Sequence, residues 1–378
     1  MARPDERIRG ERRRRITLAD VAAQAGVSAV TASRVLRKPE MVSPALRSRV
    51  ETAVRDLAYV PNQLASALAS SRTHTIGVVV PSLTNGVFSD YLKALHDLLV
   101  PAGLQILVSN SRYSPTEEEA AILALLGQHP EAMILAGVDQ TDRARLILEQ
   151  AGVPVIQTME IGEDPIDINI GLSQRRAGHA ATRFLLDLGH RRVGHLAARL
   201  DPRSRRRMDG YVDAMDEACI DHTRLIATTP RPSTVALGAQ LFRELLAAEP
   251  RLDAIFCCND DLALGALFEC HRRGIRVPDD ISIIGFNDLE FCASAYPSLS
   301  SVATPRYAIA QRAAAIVLDL IRGSGRRPRE TQIDVGFSIV ARDSTGPRSP
   351  VAELHLQGVT AAGETRKPAG QTPAGPAA

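Results

Sequence analysis

From Ile76 to Asn287 short apolar runs alternate with amphipathic stretches, and this rhythm leaves few folds open. IGVVV (76–80), LQILVSN (104–110), AMILAG (132–137) and PVIQT (154–158) form one series; RVGHLA (192–197), LIATT (225–229), AIFCCN (254–259) and ISIIGFN (281–287) form a second. Short apolar runs bounded by turn residues read as buried strands. The segments 88–100, 115–127, 174–188, 205–218, 236–248 and 261–273 between them carry helical periodicity. A strand that returns through a crossover helix lies parallel to its neighbour, so the pattern predicts parallel sheets covered on both faces. The eight runs in two series predict two doubly wound lobes. Ligands of such sheets bind beyond the carboxyl ends of the strands, which places a cleft between the lobes.

The N-terminal part obeys a different period. In ITLADVAAQAGVSAVTASRVL (16–36), Leu18, Val21, Ala22 and Ala25 share one helical face, and Gly26-Val27 interrupts the pattern where the chain must turn. Ser28 is placed to cap a second helix that keeps Ala32, Val35 and Leu36 for packing. Ala29, Val30, Ser33 and Arg34 are left facing outward. Ser43-Pro44 then starts a third helix whose Leu46, Val50, Ala53 and Leu57 close a small core. This is an all-α helix-turn-helix, a shape whose second helix enters a DNA major groove.

Charge separates the two parts. Residues 1–75 hold 14 Lys+Arg against 7 Asp+Glu, and the remainder holds 31 against 36, so a head of +7 precedes a body of −5. A polyanion is therefore expected to meet the head alone. The Arg-rich start lacks an apolar stretch after it, no run reaches membrane-spanning length, and a cytoplasmic protein with no membrane partner is expected. Five cysteines without paired CxxC spacing fit reduced thiols, and no metal or cofactor site is predicted. His179, His190 and His195 have no carboxylate or thiol at metal-motif spacing, and GxSxG, P-loop and GxGxxG motifs are absent, so no catalytic residues are assigned and an enzyme is not expected.

TLADVAAQAGVSAVTASRVL, then VSPALRSRVETAVRDLAYVPNQLASALA, then IGVVVPSLTN, resemble the lactose-repressor (LacI/GalR) family of transcriptional regulators over about residues 16–345. Within it, PSLTNGVFSDYL (81–92) and FCCNDDLALGALFECHRRGIRVPDDISIIGF (256–286) are most similar to the gluconate-operon repressors. Residues 1–15, Arg-rich without a hydrophobic pattern, and 346–378, rich in Pro, Gly and Ala, are expected to be a disordered basic arm and a disordered tail, and between them the resemblance implies a helix-turn-helix domain at 16–61, a hinge at 62–74 and a two-lobed periplasmic-binding-protein-like domain at 75–345. It also implies a homodimer on a palindromic double-stranded operator, answering to a small sugar-like effector in the cleft.

On the DNA side, Arg34 is the outward side chain able to pair with guanine O6 and N7 through two bonds. Thr17, Ser28 and Ser33 are placed for phosphate contacts. Ala29 and Val30 match positions by which the family distinguishes operators, Asn62 opens the hinge, and Leu68 matches a leucine inserted into the minor groove. For the effector, matching motifs imply Asn85 and Phe88 from the first lobe with Arg207, Asn259, Asp260 and Asn287 from the second. Asn287 stands where many sugar-binding members have Asp, which lowers the negative charge of the cleft and favours a sugar acid. Of the run Arg203, Arg205, Arg206, Arg207, one or two members are expected to face the cleft, Arg207 foremost. Ser173-Gln174 replaces a frequent Asp-Asn, with Ser173 still able to cap its helix. A solute-binding protein of the same fold is the alternative, opposed by the basic head and the lack of an export signal.

Overall fold

The computed structural model describes residues 16–60, 72–322 and 327–348. Two compact units divide the chain, Met1–Thr73 and His74–Ala378. The hinge residues Asn62 and Leu68, the N-terminal arm and the tail beyond 348 lie outside the described residues.

In the first unit, α1 (Leu18–Ala25), α2 (Ala29–Arg37) and α3 (Pro44–Asp56) enclose a core of Val21, Ala22, Ala25, Ala32, Val35, Val50 and Ala53. Thr17 and Asp20 form a reciprocal capping box at the start of α1, satisfying two backbone N–H groups. Gly26 ends that helix at φ 62°, a left-handed conformation that a side chain disfavours. Arg49, reaching from α3, donates to the freed carbonyls of Ala25 (2.5 Å) and Gly26 (3.3 Å). Ser28 caps α2 as expected, accepting from the Thr31 N–H at 3.1 Å. Ser43 differs: it occupies the N-cap position without a side-chain capping bond, so Pro44, its φ fixed for a helix, supplies the start of α3.

The second unit contains two six-stranded sheets among the described residues. Its elements in chain order are β1 (Thr75–Val80), α4 (Gly86–Leu99), β2 (Gln105–Asn110), α5 (Pro115–Leu126), β3 (Ala132–Leu135), α6 (Asp142–Glu149), β4 (Val155–Thr158), β5 (Ile168–Gly171), α7 (Gln174–Asp187), β6 (Val193–Ala198), α8 (Pro202–Glu217) and β7 (Ile226–Thr229). They continue with α9 (Val235–Ala248), β8 (Ala254–Cys257), α10 (Asp260–Arg273), β9 (Ser282–Asn287), α11 (Phe291–Ser294), β10 (Ser300–Ala303), α12 (Arg306–Arg322), β11 (Gln332–Asp334) and β12 (Ser338–Val340). The sheets run β11-β5-β4-β3-β1-β2 and β12-β10-β9-β8-β6-β7, parallel throughout except for the antiparallel β12. Interior strands such as β3, β6, β8 and β9 are buried along their whole length, whereas the edge strands β2 and β7 are partly exposed.

All eight expected strands form, and the four that were not expected (β5, β10, β11, β12) are three or four residues long. Such short segments carry too little alternation to stand out. Three of them change the architecture. After the second lobe's β10, α12 returns to pack on α4, β11 extends the first sheet, and β12 goes back to the second. The chain thus passes between the lobes at 172–173, 304–305 and 335–337, and the first lobe is discontinuous in sequence.

Candidate functional site

A cavity of about 340 Å³ lies between the lobes, where the carboxyl ends of both sheets face each other. This is the size range of small-ligand sites. Ser82, Thr84 and Asn85 follow β1; Met159 follows β4; Arg199 and Asp201 follow β6; Asn259 follows β8; and Asn287 ends β9. Leu172 and Thr304, on two of the crossover segments, also line it.

Five of the six residues expected in the effector site meet here: Asn85, Phe88, Arg207, Asn259 and Asn287. Asp260 does not. Asn259 caps α10 by accepting from the Leu262 N–H (3.1 Å), and Asp260 in the next position turns into the protein. Its carboxylate accepts from Ser301 Oγ at 2.6 Å and the Leu289 N–H at 2.9 Å, fully buried, and burial raises its pKa to about 6. One residue further along the helix, about 100° around its axis, Asp261 lines the cavity instead. Burial raises its pKa as well.

Arg207 enters on α8, but much of its hydrogen-bonding capacity is already committed. Nε donates to Gln174 Oε1 at 2.7 Å, Nη1 donates to the Cys258 carbonyl at 2.6 Å, and the guanidinium lies 3.8 Å over the Phe286 ring. Burial lowers its pKa from the usual arginine value. The close approach of α7 and α8 makes this reach possible: a Cβ on Gly178 would strike the Arg207 backbone, and one on Gly210 would strike the Arg175 carbonyl. Ser173 caps α7 as expected, and the adjacent Gln174 is a cavity residue that motif matching did not assign. Its signal was the departure from Asp-Asn at that position.

Arg203 is the second member of the run in the cavity; Arg205 is exposed, and Arg206 pairs across the lobes with Asp139 at 2.5 and 3.0 Å. Arg203 and Arg199 face an aromatic corner of the first lobe made by Phe88 and Tyr113, which meet edge to face at 6.4 Å. Arg199 lies 4.0 Å over Tyr113 and Arg203 lies 5.2 Å over Phe88. Tyr113 (φ 61°), Met159 (φ 76°), Arg199 (φ 67°) and Asn287 (φ 109°) all line the cavity at positive φ. Such backbone is costly for non-glycine residues and is maintained only where its surroundings fix it.

Two further carboxylates belong to this region. Burial pushes Asp201 upward, but Arg203, Arg207 and the bonds from Ser204 outweigh it and leave the pKa below the ordinary value. Glu160 is buried, and among the described residues its Oε2 accepts no hydrogen bond; its ion-pair partner there is Arg206, 3.8 Å away. Burial raises its pKa to about 7 against the opposing charges of Arg206, Arg203 and Arg207.

In the helix-turn-helix unit, Ala29, Val30 and Arg34 are exposed on α2, with Val30 69% accessible. The three hydroxyls expected to meet phosphates already have internal partners. Thr17 Oγ1 donates to Asp20 Oδ2 (2.7 Å), Ser28 shares a bond with Thr31 Oγ1 (2.8 Å), and Ser33 Oγ accepts from Arg37. All remain accessible at the surface. Among the described residues no helix is long and apolar enough to cross a membrane.

Residues 17–62 match the family model described as bacterial regulatory proteins, lacI family, and residues 182–345 match a periplasmic binding protein-like domain. The HTH-type transcriptional regulator GntR of Pseudomonas aeruginosa is 44% identical over 331 residues, covering 88% of this chain and 96% of that protein. The crystal structure of transcription regulator GntR from Chromobacterium violaceum aligns at a TM-score of 0.69 and 40% identity, covering 72% of this chain and 99% of that one. The lac repressor dimer bound to operator and the anti-inducer ONPF aligns at a TM-score of 0.75 and 27% identity, covering 88% and 99% of the respective chains.

Proposed function

Because the chain belongs to the lacI family of bacterial regulatory proteins, which are transcriptional regulators and not enzymes, we propose that it is a repressor acting as a homodimer on a palindromic operator and controlled by a sugar acid such as gluconate. The observation that carries the effector reading is the charge of the cavity wall: Arg199, Arg203 and Arg207 face it against Asp201 and Asp261. A neutral polyol has no use for a surplus cation, whereas a carboxylate does. The absence of a carboxylate at Asn287 and the resemblance to the gluconate-operon repressors point the same way.

On the operator, Arg34 reads guanine, Ala29 and Val30 meet apolar base edges such as the thymine methyl, and Thr17, Ser28 and Ser33 set register on the phosphates. Asn62 and Leu68 join this interface through the family resemblance. Control follows from a shift between two lobe arrangements, for which the effector must bind one more tightly than the other. The Arg206–Asp139 pair across the lobes is one contact that such a shift would change.

The test is an electrophoretic mobility shift on the DNA upstream of the protein's own gene. Specific retardation that gluconate weakens in a titration is the expected result. If gluconate and related aldonates leave the affinity unchanged while another ligand shifts it, the effector assignment fails. If no specific retardation occurs, the solute-binding alternative gains.

A further inference from the structure

The cavity presents three guanidiniums to a ligand, but they are not equivalent. Arg207 is buried, with Nε and Nη1 bonded to the protein and its face covered by Phe286. Arg199 and Arg203 are partly accessible and line the cavity, and among the described residues neither side chain donates a hydrogen bond to the protein. Their guanidinium carbons lie over rings of the opposite lobe instead, Arg199 4.0 Å from the centre of Tyr113 and Arg203 5.2 Å from that of Phe88. The carboxylate nearest Arg203, that of Asp201, stands 3.6 Å from its Nε and is already used by the Arg203 N–H and by Ser204 Oγ.

A guanidinium laid on an aromatic ring is held by its face, while its N–H donors point outward from the edge in the plane of the fork. It is thus fixed in place without spending the bonds that bind an anion. Arg199 and Tyr113 both stand at positive φ, a backbone conformation that their surroundings must hold.

We infer that Arg203, with Arg199 beside it, holds the ligand's carboxylate and sets the preference for an acid over a neutral polyol, whereas Arg207 is a positioning residue that fixes Gln174 and the end of β8. The inference rests on the sugar-acid reading and assigns its anion subsite. Both guanidiniums belong to the second lobe and lie over rings of the first, so this anion subsite stands at the junction of the lobes.

The experiment is calorimetric titration of the full chain with gluconate and with sorbitol, which carries a neutral CH2OH in place of the carboxylate. In the unaltered protein gluconate is expected to bind at least about tenfold tighter than sorbitol. Arg203→Gln is expected to reduce that ratio to about threefold or less while changing sorbitol affinity by less than about threefold, with Arg203→Lys intermediate because charge survives but the fork does not. Arg207→Gln is expected to weaken both ligands together. If the unaltered protein fails to prefer gluconate, the sugar-acid reading falls and this inference falls with it. If the preference is present, survives Arg203→Gln in a chain with unchanged thermal melting, and is abolished by Arg207→Gln, the reading stands and the inference alone is overturned. Loss of melting stability in Arg203→Gln transfers the decision to Arg203→Lys, where an undiminished ratio counts against the assignment and a diminished one supports it.

Discussion

Arg34 and Arg207 show two ways of using the same side chain. Arg34 stands exposed on α2, beside Ala29 and Val30, in a unit whose caps and turn are formed by residues close in sequence. Arg207 is buried on α8 and bonded to groups from α7 and the end of β8, 33 and 51 residues away. The first region presents side chains from a small scaffold built by local rules. The second assembles its chemistry from several distant strand ends, so residues such as Asn85, Asn259 and Arg207 also support the structure. Recognition and stability are therefore separable in one region and entangled in the other.

The strongest test of this contrast is Arg207→Ala. Removing a buried, doubly bonded guanidinium leaves Gln174 and the Cys258 carbonyl without their partner and is expected to cost on the order of 2–4 kcal/mol in urea unfolding of the two-lobed unit. A cost below about 1 kcal/mol would break the entanglement claim.

Glu160→Gln is expected to have the next largest effect, with the opposite sign. Because the folded pKa of Glu160 is raised to about 7, this carboxyl favours the fold most below its unfolded pKa, and that contribution is lost as pH rises towards 7 and beyond. The amide should therefore match the native protein near pH 4 and be more stable near pH 8, by on the order of 2–3 kcal/mol. Unfolding curves at the two pH values check it, and equal stabilities at pH 8 would mean that Arg206 compensates the charge in full.

Thr17→Ala deletes the capping box and should destabilise the helix-turn-helix unit by about 1 kcal/mol, without altering ligand binding in the interlobe cavity. Hydrogen exchange in α1 measures the first effect and calorimetry the second. Arg34→Ala sharpens the comparison from the other side. Its effect on stability should remain within about 0.5 kcal/mol, as for most exposed positions. Operator affinity should fall by about ten- to a hundredfold, the worth of a bidentate guanine contact.

What could be read from the chain follows the same division. The helix-turn-helix was legible because its signals are local: the Gly26 turn, the Ser28 cap and the spacing of Val21, Ala25, Ala32 and Val35. The interior strands were legible because burial on both faces makes them continuous apolar runs. The short strands β5, β10, β11 and β12 were not, since they derive their place from neighbours already laid down. In the cavity, motif matching brought together Asn85, Phe88, Arg207, Asn259 and Asn287 but chose Asp260 over Asp261. Two adjacent aspartates differ only in which way a helix turns them, and one residue decides between a cavity wall and a buried hydrogen-bonded core. Tyr113 and Arg199 escaped notice, and Arg203 was read only as one of a run with Arg207 foremost, because their meaning lies in contacts across the lobes, which no spacing along the chain encodes.

The threefold passage of the chain between the lobes has a consequence for biosynthesis. The second lobe's helices α7 to α11 and strands β6 to β10 form one continuous stretch that ends at residue 303, but its sheet still lacks β12 at that point. The first lobe begins earlier but must wait for α12 to cover α4 and for β11 to close its sheet edge. On the ribosome neither lobe is therefore complete until the last passage of the chain, the first closing with β11 and the second with β12. A chain stopped before Arg306 would carry a second lobe lacking only its edge strand β12, attached to a first lobe with α4 uncovered, the kind of exposed apolar surface that chaperones bind.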